Sequence, residues 1–125
     1  MRHMVLVKMG PEVGAPPAEL SEAMGREMGE AFASGLMVDA GGLSPVSAAT
    51  EIRLSAGRVT VTDGPFAEAK EVVGGYSILE TSTKEEAVEA ARRVIELHQE
   101  FWPGWEGSVE VRGIAGSDQA PPAAP

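Results

Sequence analysis

The residues best suited to chemistry lie at positions 61–71, a run whose centre reads Asp-Gly-Pro-Phe. Asp63 closes a β-prone stretch, a Gly-Pro pair follows it, and Phe66 adds an apolar ring that could also contact a substrate. Proline fixes its own backbone torsion and restricts the residue before it, so the turn is rigid. A turn that only reverses the chain needs neither an acid nor a ring, and Asp63 is therefore a candidate catalytic acid. The alternative is an Asx turn, in which the carboxylate only stabilises the strand end.

Five further side chains could bind a substrate. Lys70 follows the turn and could direct its charge into a cavity, although charged clusters after turns are more often solvated. Arg112 lies at a polar position of an alternating strand, where it could hold an anion with two hydrogen bonds or pair with an acidic neighbour. Tyr76, Trp102 and Trp105 could line a pocket for an aromatic ligand, or pack in the core or at a dimer interface.

The composition argues against several functional classes. A net charge of −9 disfavours binding to nucleic acid or to an anionic membrane, since either needs a basic patch. Without cysteine there is no thiolate nucleophile or sulfur ligand, and His3 and His98 lack the spacing of a metal site. The Gly pairs at 41–42 and 74–75 match no phosphate-binding loop, so we expect no cofactor. Residues 1–9 are too short for a signal peptide or a membrane span, which favours a cytoplasmic protein.

Hydrophobic periodicity predicts the order strand, helix, strands, helix, strand. Two local signals fix helix ends: Gly35 stops the first helix, and the capping box Thr83-Lys84-Glu85-Glu86 starts the second. We expect the three middle strands to form a β-meander. The predicted strands are residues 3–9, 36–43, 50–55, 59–62, 75–81 and 108–114, and the first helix is residues 18–34.

The second helix has the clearest apolar face, formed by Val88, Ala91, Ile95 and His98. This pattern directs His98 towards the sheet. An imidazole there could move protons near neutral pH, or it could be a core histidine bonded to a backbone carbonyl.

The first helix contains two glycines, Gly25 and Gly29, four residues apart. Each costs about 1 kcal/mol relative to alanine in a helix interior. Close approach by the sheet or by a second subunit would explain them, and simple tolerance of a weaker helix is the alternative.

Together these elements predict an α+β fold, a ferredoxin-like sandwich with an inserted β-hairpin, over residues 1–114. Two helices would cover one face of the sheet. The other face would need an apolar partner, and a homodimer is the expected solution. Residues 115–125 form a Pro/Ala-rich tail of a composition that is usually disordered or a linker.

Taken together, these motifs resemble the DGPF branch of the YCII-related proteins, and the resemblance implies a dimeric α+β barrel. Small departures, such as Ala69 where the family often has Thr, concern loop detail. The matching pieces are residues 4–7, 41–45, 49–50, 61–71, 74–76, 105–107 and 110–112.

The resemblance also suggests a chemistry. The wider YCII group is associated with a His and Asp pair in acid/base chemistry, which here points to His98 and Asp63. A carboxylate bonded to one imidazole nitrogen would fix its tautomer and leave the other nitrogen to move a substrate proton. We therefore expect a cofactor-free lyase or isomerase acting on a small organic molecule. The alternative is a non-catalytic module that binds a ligand or a transcription-related partner such as a sigma factor.

Overall fold

Two helices lie on one face of a four-stranded antiparallel sheet, and a two-stranded hairpin forms a second sheet. The computed structural model describes residues 1–66 and 68–117. The sheet order β2-β5-β1-β6 is that of a ferredoxin-like fold, and β3 and β4 form the insertion, so the predicted fold class is confirmed. The elements are β1 (Arg2–Met9), α1 (Ala18–Ser34), β2 (Met37–Gly42), β3 (Thr50–Ser55), β4 (Arg58–Asp63), β5 (Val72–Glu80), α2 (Lys84–Phe101) and β6 (Gly107–Gly113).

The predicted β-meander is wrong. β2 pairs with β5, whereas β3 and β4 pair with each other. Alternation along a strand indicates that it is a strand but does not say which strand lies beside it, and β2 continues the sheet that α1 covers. β5 also begins earlier than predicted, because its two glycines lie within the strand, opposite a register shift between Val7 and Lys8 of β1.

The end of α1 and the start of α2 both follow the local signals predicted from the sequence. Gly35 closes α1 in a left-handed conformation, with φ of 82°. At the start of α2, the hydroxyl of Thr83 accepts a hydrogen bond from the backbone nitrogen of Glu86 at 3.2 Å. The Glu86 carboxylate in turn accepts one from the backbone nitrogen of Ser82 at 3.2 Å. The capping residues therefore satisfy backbone donors that a helix start leaves free.

The core consists of two clusters beneath the helices. In the first, Val5 and Leu79 of the sheet pack against Ala87 and Ala91 of α2. In the second, three residues join the two helices: Leu20, Ala23 and Leu97. The buried face of α2 is rotated slightly from the predicted one, because Val88 remains 44% exposed.

The opposite face of the four-stranded sheet has no helix on it. Strand alternation places Met4 and Leu6 of β1 on this face, directly opposite Ile78 and Tyr76 of β5. All four side chains are half-buried. An apolar strip therefore runs along β1 and β5, and the charged residues Arg112 and Glu110 of β6 lie beside Met4 and Leu6.

The β3–β4 hairpin carries a second apolar surface. Ile52 lies opposite Val61 and Leu54 lies opposite Val59, so all four share one face. Their exposed fractions are 65 to 73%. Within the described residues neither hairpin strand pairs with the larger sheet. We call these four residues the hairpin patch.

The predicted tail lies mostly outside the described residues. Residues 115–117 form a turn that contacts the start of β1, where the Arg2 backbone nitrogen donates to the Ser117 hydroxyl at 2.8 Å. Residues 118–125 are not described. Within the described ranges, no helix is long and apolar enough to cross a membrane.

Packing explains the glycine of the Asp-Gly-Pro-Phe turn. A Cβ at Gly64 would lie well inside contact distance of the Val46 backbone carbonyl. The Gly64 nitrogen also donates to the Ala49 carbonyl at 2.7 Å. The turn therefore rests directly on the backbone of residues 46–49, and only glycine fits there.

The two α1 glycines are in a different position. A Cβ at Gly25 or Gly29 would meet nothing within 4 Å among the described residues, and both positions are exposed. Close approach by the sheet does not explain them.

We predict opposite effects of one substitution at two sites. Gly64→Ala should lower the free energy of unfolding by about 1 to 3 kcal/mol, because the backbone must shift to admit the methyl group. Gly25→Ala should raise it by about 1 kcal/mol, because alanine is the better helix former. Urea denaturation of both variants measures the two effects. Wild-type stability of Gly64→Ala would contradict the packing explanation, and a loss in Gly25→Ala would indicate contact with another chain.

Candidate functional site

A large apolar cavity lies between the helices and the sheet. Its volume is about 940 Å³, within the usual range for small-molecule pockets. Apolar side chains dominate its wall, and they come from both helices and from three strands of the larger sheet. The lining includes Val7, Met9, Leu20, Met24, Met28 and Leu97.

A groove of about 760 Å³ adjoins the cavity. It is lined by three loop segments, residues 10–14, 69–70 and 102–106. Trp102 and most of the first loop line both the cavity and the groove. The two spaces therefore form one candidate site with an apolar interior and a more polar mouth.

His98 lies at the cavity wall, and its side chain is almost fully buried. Its Nδ1 atom is 2.8 Å from the backbone carbonyl oxygen of Val94. A carbonyl oxygen only accepts hydrogen bonds, so Nδ1 must carry a proton. In the neutral ring, Nε2 is then the acceptor. Nε2 has no hydrogen-bond partner among the described residues.

Two tryptophan rings flank this imidazole. The centroids of His98 and Trp105 are 4.4 Å apart, and those of His98 and Trp102 are 6.3 Å apart. The Trp105 ring lies over Gly107, where any Cβ would clash with it. Its indole Nε1 is buried and lacks a hydrogen-bond partner among the described residues. The three rings form a wall where the cavity meets the groove, with His98 on the cavity side and Trp105 on the groove side.

Asp63 lies at the base of the exposed hairpin. Its Oδ1 atom accepts a hydrogen bond from the Thr50 hydroxyl at 2.9 Å, which joins the first residue of β3 to the last residue of β4. His98 bonds to Val94 instead, so the described hydrogen bonds do not join Asp63 to His98. A catalytic role for the pair stays a prediction.

Two other predicted residues, Tyr76 and Arg112, are bound to acidic neighbours. The Tyr76 hydroxyl donates to Asp39 at 3.2 Å, and this hydrogen bond raises the pKa of Tyr76. Arg112 is paired with Glu110 at 3.2 Å on the same strand. A hydrogen bond from Lys8 to Glu110 lowers the pKa of that carboxyl group. These contacts agree with a pairing role for Arg112 on the sheet.

The remaining predicted residues divide between the groove and the turn. Lys70 lines the groove and is exposed, and Trp102 lines both groove and cavity. Phe66 is half-buried in its turn and lies outside the lining of both spaces.

Comparison with known proteins identifies the family. A model of the YCII-related domain matches residues 1–98. This chain belongs to the YCII-related family. It is also 38% identical over 84 residues to an uncharacterised protein of Rhizobium meliloti (strain 1021), a match that covers 62% of this chain. That match spans 64% of the relative's length.

The family match includes Asp63 and His98 but ends before the tryptophan wall. Trp102, Trp105 and Arg112 therefore lie in a part of this YCII-related protein that the family match does not cover. Membership of the DGPF branch stays a prediction.

The sequence suggested a cavity between the sheet and a loop, and its location between the helices and the sheet was not predicted. Four methionines line it, namely Met9, Met24, Met28 and Met37. The methionine side chain is flexible and adapts to irregular spaces. Several methionines facing the interior from α1 and the neighbouring strands therefore indicate a loosely filled interior. Periodicity alone shows which side chains face inwards, and not how well they fill the space.

We predict that neutral His98 is the Nδ1–H tautomer, because Val94 offers Nδ1 only an acceptor. Long-range ¹H–¹⁵N correlation spectra, recorded at a pH where the ring is neutral, measure the tautomer directly. The chain has two histidines, so His98→Gln assigns the signals. An Nε2–H tautomer would contradict the orientation and remove the free acceptor.

Proposed function

We propose that this YCII-related protein binds a small, mostly apolar organic molecule in the cavity between its helices and sheet. The observation that carries the proposal is the cavity of about 940 Å³ with its apolar wall. Protein interiors are otherwise packed as densely as organic crystals, and empty apolar space lowers stability. A ligand that filled the cavity would offset this loss.

His98 supplies the polar contact in this proposal. Its Nε2 atom can accept a hydrogen bond from a ligand hydroxyl or amine, because Nδ1 is engaged with Val94. Cavities for small molecules typically combine an apolar wall with a few such polar groups.

Acid/base catalysis is the second candidate, and the same nitrogen favours it. An imidazole with Nδ1 fixed by a hydrogen bond and a free Nε2 can abstract a proton from a bound substrate. The orienting group would be the Val94 carbonyl, with His98 as the only member of the predicted pair at the cavity. A lyase or isomerase reaction, the cytoplasmic location and a transcription-related partner stay predictions.

We predict that linear alcohols bind with an affinity that rises with chain length. Each added methylene should tighten binding about fourfold, since burying it is worth about 0.8 kcal/mol. Titration calorimetry with hexanol, heptanol and octanol measures this series. Absence of binding, or affinity independent of chain length, would contradict the proposal.

A matched pair of α1 variants locates the binding. Ala31 lines the cavity, whereas Ala33 is exposed and outside its lining. Ala31→Leu should weaken octanol binding by filling space, and Ala33→Leu should leave it unchanged. Equal effects of the two substitutions would indicate binding elsewhere.

We also propose that the protein forms a homodimer. Two surfaces support this: the hairpin patch and the apolar strip along β1 and β5 on the open face of the sheet. A two-stranded hairpin is marginally stable in water unless another surface covers it. Exposed apolar patches of this kind mark interaction sites, and a second copy of the chain provides both surfaces at once.

We predict that charges in the hairpin patch separate the dimer. The double substitution Ile52→Lys and Val61→Lys places two ammonium groups on a cross-strand pair of the patch. In analytical ultracentrifugation, the sedimentation coefficient should fall from that of a dimer to that of a monomer. The control is Thr60→Lys with Thr62→Lys, which adds the same charge to the opposite face of the same hairpin. A monomeric wild-type protein, or equal effects of both pairs, would contradict the proposal.

A further inference from the structure

We infer that the ligand is an amphipathic cation, with its apolar part in the cavity and its positive end in the groove beside Trp102 and Trp105. This inference rests on the proposed binding function and adds a chemical class to it. It follows from the lining that the two spaces share, the charges around them and the rings at their junction.

The shape of the site favours a ligand with two different ends. The cavity wall is largely apolar, while the groove is lined by loops that contain charged side chains. Trp102 lines both spaces. A molecule that fills both must therefore be apolar at one end and carry a polar group at the other.

The groove carries more negative than positive side chains. Two carboxylates, Glu12 and Glu106, line it with one ammonium group, Lys70. The whole chain carries a net charge of −9, which adds a negative potential in any cleft. A positive group is therefore favoured in the groove, and a carboxylate or phosphate is repelled.

The cavity rim has the same bias. Glu27, Glu86 and Glu89 lie along it with a single guanidinium group, that of Arg93. The Arg93 Nε atom is already paired with Glu27 at 3.0 Å, across the gap between the helices. At the rim, an anionic ligand would have to break this pair to reach the guanidinium group.

Trp102 and Trp105 are both half-buried and both line the groove. Indole is the best aromatic partner for a cation, and a cation over its face gains about 0.5 to 1 kcal/mol at exposed sites. Quaternary and other organic ammonium groups are the cations that such rings recognise.

The test compares three ligands with the same eight-carbon chain and different ends: octyltrimethylammonium, octanol and octanoate. Intrinsic fluorescence is a direct readout, because the only two tryptophans of the sequence are Trp102 and Trp105. The cation should bind about threefold tighter than the alcohol, and octanoate should bind weakest. Added salt should reduce the difference between the cation and octanoate.

Two double variants of equal net charge locate the effect. Glu12→Gln with Glu106→Gln removes both groove carboxylates and should weaken binding of the cation while leaving octanol binding unchanged. Glu19→Gln with Glu22→Gln removes two exposed carboxylates of α1 that line neither space, and should leave both ligands unaffected.

The outcomes separate the inference from the proposal on which it rests. Equal affinity for the cation and octanol, tighter binding of octanoate, or equal effects of the two double variants would overturn the cationic class and leave the apolar site intact. Failure of all three ligands to bind would overturn both.

Discussion

The contact on which the rest of the structure depends is that of α2 with the centre of the sheet. Ala87 and Ala91 have almost no side chain, so α2 approaches Val5 and Leu79 closely and fixes the helix above β1 and β5. α1 has no comparable packing contact with the centre of the sheet. It packs against α2 through Leu20, Ala23 and Leu97 and leaves space between itself and the strands. The cavity is thus a consequence of unequal helix packing, and its methionine-rich wall tolerates the gap because those side chains adapt to irregular spaces.

The same helix sets the position of His98. His98 lies about four helical turns after the capping residue Thr83, and its position is fixed once Thr83 caps the helix and the alanines dock. Trp102 and Trp105 follow directly and close over the imidazole. Their place in the site depends on where α2 ends and on Gly107, the only residue type that admits the Trp105 ring at that point.

Much of this organisation is readable from the sequence, because it depends on local signals. Gly35 and Thr83 mark helix ends through backbone chemistry that acts within a few residues, and the order of strands and helices defines the ferredoxin-like fold. Strand partners and cavity volume depend on contacts between distant segments, and periodicity carries no information about them. The burial of His98 followed from its helix face, whereas its bond to Val94 was one of two open alternatives.

The Asp-Gly-Pro-Phe turn shows how a specific motif can have a structural cause. Asp63 ties the two hairpin strands together through Thr50, and Gly64 allows the turn to rest on Val46. An acid followed by a glycine is thus explained by the base of the hairpin, without a substrate.

The hairpin patch and the cavity are two apolar surfaces that the isolated chain leaves uncovered. The patch residues Ile52, Leu54, Val59 and Val61 do not line the cavity, so a second copy and a ligand would cover different parts of the molecule. Anything that binds only the folded state raises its stability, and effects at separate, independent sites add. Each uncovered surface therefore lowers the free energy of unfolding of the free monomer separately. A ligand would restore the part lost at the cavity, and a second copy would restore the part lost at the hairpin patch. Under the two proposals, a ligand and a second copy would therefore stabilise the folded chain at different surfaces.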